Sequence, residues 1–234
     1  MVSRQTRLTS WSAFAILGCL LVSHLSAAQE HVTIRTQDGA NIAADIYGSG
    51  KRAVVLAHGG QFTKADWKPQ ATLLAAHGFR VLAMDFRGYG ESPQLPSEDG
   101  SEGNVRFDVL AAVRYLHAQG AVTVSAVGAS FGGAAVADAS ADSEPGEIDR
   151  VVLLAHGSSA HPELIKGRKL FIVCRHDTDG SGTVRFDEMR KDFRKVPPPK
   201  QFIVLKGNAH AQFIFKTNQG DRLMNEILRF LSAP

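Results

Sequence analysis

An α/β fold is predicted for this 234-residue chain: a three-layer sandwich on a mostly parallel sheet. Two observations carry that prediction. RAVVLAHGG, FRVLAMDFRG, AVTVSAVGAS, DRVVLLAHGS, KLFIVCRHD and QFIVLKGNAH are short runs of branched and aromatic apolar residues, the pattern of strands buried on both faces. Helix-like stretches alternate with most of these runs, and such crossover connections join parallel strands.

The elements follow in order. Residues 1–28 carry Arg4 and Arg7, then an apolar run from about Trp11 to Leu25, then small residues, which is the pattern of an export signal. Ser26 and Ala28 suit cleavage after Ala28, so the expected mature chain is a single domain, residues 29–234, secreted or periplasmic. The apolar run is short for a span of roughly 20 residues, and no stable membrane span is expected in the mature form. Lipid attachment at Cys19 is opposed by the apolar Leu20, Leu21 and Val22 that follow it.

HVTIRTQDGANIAADIYG reads as two strands joined around Asp38 and Gly39. DWKPQATLLAAHG, NVRFDVLAAVRYLHAQG, SFGGAAVADASA, RFDEMRKDF and GDRLMNEILRFLSAP read as helices. In the second, Val105, Val109, Ala112, Val113 and Leu116 recur at spacings of three and four and form one packing face. Pro197 to Pro199 mark a stiff connector before the last strand.

Removing residues 1–28 takes away two arginines and no acid, so the charge falls from +3 to +1, from 24 basic against 23 acidic residues. Nucleic acid is therefore not an expected partner. Cys174 is the one cysteine left, so no intramolecular disulfide forms and the core must supply stability.

GASFG, residues 128–132, matches GxSxG between a strand and a helix, the context of a nucleophile elbow centred on Ser130. A serine hydroxyl needs a base, and the base needs a third group to hold its tautomer. His210, just past the last strand, is the expected base. His31, His77, His117, His161 and His176 are less well placed. For the acid, Asp177 and Asp179 both follow KLFIVCRH; Asp177 is chosen as the first carboxylate after the strand, with Asp179 the alternative. The order Ser130, acid, His210 agrees with the elbow class. Backbone amides of Phe131 and Gly60 are expected to hold the oxyanion, with Gln61 the alternative to Gly60.

On these residues the chain, from about 31 to 232, resembles the α/β-hydrolase family. The resemblance also rests on HGG at His58 to Gly60 and on DFRGYGES at Asp85 to Ser92, similar to the family's DxRGxGxS phrase. It implies that the HG phrase opens the oxyanion loop, that Asp85 and Arg87 are structural, and that the strand-plus-turn IVCRHD ends on the acid.

GASFGGAA lacks the Gly-Lys-Ser/Thr ending of a phosphate loop, and the scattered histidines form no HExxH, so neither a cofactor nor a metal is expected. The expected reaction is hydrolysis of a small-molecule carboxylic ester through an acyl-enzyme on Ser130. Thioesterase, peptidase and non-catalytic binding protein are the alternatives. Only SSAHPELIKGRK joins the fourth and fifth buried runs, where many relatives insert a helical lid, so an open site is expected.

Overall fold

The computed structural model describes residues 29–93, 104–156 and 159–234; the proposed export segment, residues 1–28, lies outside them. The hairpin forms from β1 (Glu30–Arg35) and β2 (Asn41–Tyr47), and six parallel strands follow: β3 (Arg52–Ala57), β4 (Phe79–Met84), β5 (Thr123–Ala129), β6 (Arg150–Leu154), β7 (Arg168–Cys174) and β8 (Lys200–Leu205). The sheet order is β1-β2-β4-β3-β5-β6-β7-β8, with β2 antiparallel to β4. The helices are α1 (Lys68–Ala76), α2 (Val105–Ala118), α3 (Phe131–Asp142), α4 (Arg185–Lys195) and α5 (Gly220–Ser232).

The strand order places the site. From β3 the chain steps one way to β4, then returns past β3 to β5 and continues outward. Right-handed crossovers then put α1 on one face of the sheet and α2 and α3 on the other. The direction reverses between β3 and β5, and a crevice opens at the carboxyl ends of strands where order reverses. Gly60 follows β3 and Ser130 follows β5, so both candidate residues flank that crevice.

The apolar runs are buried as their composition requires: Val54, Val55, Val81, Leu82, Val124, Ala126, Val151, Val152, Leu170 and Ile172 are all essentially inaccessible. On α2, Val109, Ala112, Val113 and Leu116 are fully buried and Val105 partly so. Arg87 crosses from the loop after β4 to Asp108 on α2 (Nε to Oδ1, 2.9 Å) and to Asp38 in the hairpin turn (2.7 Å). Burial pushes the Asp108 carboxyl up while Arg87 opposes that shift, and the Arg87 hydrogen bond holds Asp38 below the usual range. Arg87 therefore has a packing role.

The connection from β6 to β7 contains, among its described residues, a single 3₁₀ turn at Pro162–Leu164. Among the described residues no helix is long and apolar enough to cross a membrane.

Candidate active site

Ser130 stands between β5 and α3 with φ 51° and ψ −114°, a conformation that side-chain-bearing residues rarely adopt. Such strain costs on the order of 1–3 kcal/mol and persists only where the surroundings enforce it. They do so here by close approach. A Cβ on Gly132 would stand 2.5 Å from the carbonyl oxygens of both Ala57 and His58, and one on Gly128 would strike the Gly132 carbonyl. The two glycines thus let the elbow press against β3, and the Ser130 N–H is fastened to the Leu154 carbonyl of β6 at 2.8 Å.

His210 follows β8 and extends toward the elbow, its Nε2 2.7 Å from Ser130 Oγ. Its Nδ1 lies 2.9 Å from Asp177 Oδ2 and 3.1 Å from Oδ1. An ionised carboxylate only accepts, so Nδ1 carries the proton and Nε2 is free to accept from the serine. Asp177, just past β7, has no exposed surface, whereas His210 is about one-third exposed.

Asp179, two residues on, faces its own loop. Its Oδ1 accepts the Ser181 hydroxyl at 2.6 Å and the amides of Ser181 and Thr183 at 2.9 Å each. These bonds, the Ser181 hydroxyl first, hold its carboxyl below the usual range. It is a loop-forming aspartate. Cys174 lies buried at the end of β7, and burial raises its thiol to about 11, so it stays protonated at neutral pH.

The candidate oxyanion wall is held from behind. Among the described residues the N–H groups of Gly60 and Phe131 have no acceptor. A Cβ on Gly60 would lie 3.9 Å from that of Phe131, so the two residues adjoin at the cleft. The Gly59 carbonyl accepts from His58 Nδ1 at 2.8 Å and from the Phe62 amide at 3.0 Å. The peptide is planar and trans, so fixing that carbonyl fixes the Gly60 N–H on its opposite side. His58 Nε2 accepts the Phe86 N–H at 3.2 Å, which sets the tautomer. Burial lowers its pKa and keeps the ring neutral. Phe86 belongs to DFRGYGES, and its ring packs edge-on against both His58 and Phe131. Asp85 accepts the amides of Lys64 and Glu91 and so shapes this loop without reaching the serine site.

The cleft over Ser130 has a volume of about 220 Å³, with Gly60, Gln61, Phe62, His210 and Phe213 around its mouth. The Phe62 and Phe213 rings are 4.8 Å apart. A second cleft of about 240 Å³, among Arg106, Asp138, Asp142 and His161, shares no lining residue with it and contains no serine. Sequence reasoning selects Ser130, Asp177, His210, Gly60 and Phe131; the structure brings Ser130, His210, Gly60 and Phe131 to one cleft and buries Asp177 behind His210. It misses the aromatic rim, the bonding role of His58, and Gln212, whose one signal is a polar side chain interrupting the apolar AQFIF.

Residues 52–175 match the family model described as alpha/beta hydrolase fold. That span includes Gly60 and Ser130 and ends before Asp177 and His210. A non-heme chloroperoxidase of Streptomyces lividans is 35% identical over 159 residues, 68% of this chain and 52% of the relative. A bifunctional esterase/perhydrolase of Acinetobacter calcoaceticus is 32% identical over 164 residues, 69% of this chain and 54% of the relative. The chain spans about half the length of these curated relatives. Among solved structures, an esterase of Pyrococcus furiosus superposes with a TM-score of 0.74 at 18% identity, covering 87% of this chain and 92% of its own. An esterase of Exiguobacterium antarcticum does so at 0.71 and 13%, covering 87% and 100%. Identities this low speak for the fold alone.

Proposed function

The chain belongs to the α/β-hydrolase fold family, and from that premise we propose that it is a serine hydrolase of small carboxylic esters. The observation that carries the reading is the unbroken line of hydrogen bonds from buried Asp177 through His210 to a strained Ser130. Ser130 Oγ attacks the ester carbonyl carbon while His210 Nε2 takes its proton. Negative charge collects on the carbonyl oxygen, for which the amides of Gly60 and Phe131, without an acceptor among the described residues, are the donors. Collapse breaks the bond to the alcohol, which leaves with the proton from His210, and the acyl group stays on Ser130. Water, deprotonated by His210, then releases the acid and restores the serine. Asp177 remains ionised throughout and orients the imidazole.

Two further features support small or surface-held esters. Among its described residues the short β6–β7 connection holds a single 3₁₀ turn, and the cleft is only about 220 Å³. The test is kcat/KM over acyl chains of two to twelve carbons, below aggregation concentrations and beside amide and thioester analogues. Short esters are expected to react at least as efficiently as long ones; activity confined to amides or thioesters would replace the ester assignment.

Hydrogen peroxide as a second acyl acceptor is favoured by the relative named as an esterase/perhydrolase. Attack of peroxide on the same acyl-serine would yield a peracid and free serine, detectable by peracid formation from an ester and peroxide. Export is proposed from the pattern of residues 1–28. Terminal-peptide analysis of material from the cell envelope or medium should find Gln29 first, and a cytoplasmic species beginning at Met1 would overturn export.

A further inference from the structure

We propose that Gln212 is a positioning residue that ties the general base to the oxyanion loop, a role that rests on the ester-hydrolase reading. Gln212 lies two residues after His210 in the 3₁₀ helix Ala211–Lys216, and it is buried, only 4% exposed. Its Oε1 accepts the Gly59 N–H at 2.7 Å, joining segments 153 residues apart. Gly59 presents a donor, so the atom facing it is the amide oxygen and the orientation of the side-chain amide is settled.

The other end of that amide is informative. Nε2 is buried and has no partner among the described residues. Leaving a buried donor unpaired is unfavourable, and a side chain needed only for packing would carry no amide at all. The Gly59 hydrogen bond is the gain that offsets this penalty.

Gly59 immediately precedes the proposed oxyanion donor. Gln212 holds its N–H, while His58 and Phe62 hold its carbonyl. Both peptide planes flanking Gly59 are therefore fixed, and the second of them carries the Gly60 N–H. The link back to the base is equally stiff. Ala211 is fully buried with φ 48°, and the Phe213 N–H returns to the His210 carbonyl at 2.9 Å. Any displacement of His210 is thus passed through Gln212 to Gly59 and Gly60. One side chain keeps the proton acceptor and the oxyanion donor in register while charge develops between them.

Q212M and Q212E separate this role from packing. Methionine keeps the length and loses the strong acceptor; glutamate keeps an acceptor oxygen. With a short-chain aryl ester, and rates expressed per folded enzyme from circular dichroism, Q212M is expected to lower kcat about 10- to 100-fold, since an error of about 1 Å in such groups costs about 10²-fold. KM should stay within about twofold, because the loop acts on the transition state. Q212E should recover most of the lost kcat. Unchanged kcat in Q212M, a loss confined to KM, or Q212E no better than Q212M would overturn the role. S130A in the same assay separates the two readings. A fully active S130A sinks the site itself, whereas an inactive S130A beside a fully active Q212M sinks only Gln212.

Discussion

In the floor beneath the cleft Asp177 is buried behind His210, Ser130 is held in a strained backbone conformation, and the elbow glycines leave no room for a Cβ. At its rim Gln61 faces solvent and Phe213 is 39% exposed, its ring meeting Phe62 on one side and the Lys216 ammonium at 5.9 Å. The floor consists of groups whose separation has to be kept to fractions of an ångström, so backbone strain and buried polar bonds are spent there. The rim only has to exclude water from one side of a substrate, and one partly exposed ring, Phe213, backed by the buried Phe62, suffices. Substitutions at the floor should accordingly act on turnover by orders of magnitude, and those at the rim on selectivity by small factors.

The largest expected effect is at Ser130. Ser130→Ala should lower kcat roughly 10⁶-fold, the scale found when a triad nucleophile is removed. It should also abolish covalent labelling by a fluorophosphonate ester, read by intact mass. Full labelling of the variant would remove Ser130 from the chemistry and erase the contrast between floor and rim.

Two aspartates on one turn sharpen the contrast further. Asp177→Asn leaves His210 without its carboxylate and should reduce kcat about 10⁴-fold. Asp179→Asn disturbs the bonds to Ser181 and Thr183 and the 3.9 Å ion pair with Arg185, none of which involves His210, and kcat should stay within about threefold. The reverse ranking in folded proteins would make Asp179 the acid.

That distinction was legible in the sequence because it depends on local chain geometry. Asp177 is the first carboxylate after a buried strand, whereas Asp179 sits in a Thr-Asp-Gly-Ser stretch whose amides return to it. The doubly buried strands and the elbow were legible for the same reason: each is a pattern within a dozen residues. What was not legible depends on residues far apart in sequence. The bond from Gly59 to Gln212, the pairing of Phe62 with Phe213, and the buried Lys64 held by Asp45 and Glu91 arise only when the sheet order brings their segments together. His58 stands between these cases. Its place before Gly59 marks the proposed oxyanion loop, but its bond to Phe86 depends on β3 and β4 being neighbours.

His58 provides the next prediction in size. His58→Leu leaves the Phe86 N–H without its acceptor and removes one donor to the Gly59 carbonyl. It should lower kcat about 10²-fold, by analogy with a loosened oxyanion donor, and destabilise the fold by about 1–3 kcal/mol. It should also change the pH profile. Burial lowers the folded pKa of His58, so its stabilising contribution is complete above the unfolded value of about 6.5 and is lost as pH falls through the folded value. Thermal midpoints of the wild type should therefore fall more steeply on acidification below about 6.5 than those of the variant. Parallel curves would show that His58 does not titrate with unfolding.

The smallest effect is expected at Phe213, where the character of the rim is tested directly. Its ring is partly in water already and meets Phe62 at 4.8 Å, so a bound acyl chain passing over it buries only part of each methylene. Full burial contributes about 0.8 kcal/mol per methylene, and partial burial correspondingly less. Phe213→Ala should therefore reduce kcat/KM by less than about tenfold for any one ester, with the loss growing slightly as the acyl chain lengthens. Fluorophosphonate labelling of Ser130 should persist, because Phe213 donates no bond to Ser130, His210 or Asp177 through its side chain. The decisive measurement is the slope of log kcat/KM against acyl length in wild type and variant. A shallower slope with turnover of the shortest ester intact supports an apolar rim that selects without catalysing. A uniform loss beyond about 10²-fold across all lengths would put Phe213 among the residues that hold the floor, since only a displaced transition state loses rate independently of what the rim touches.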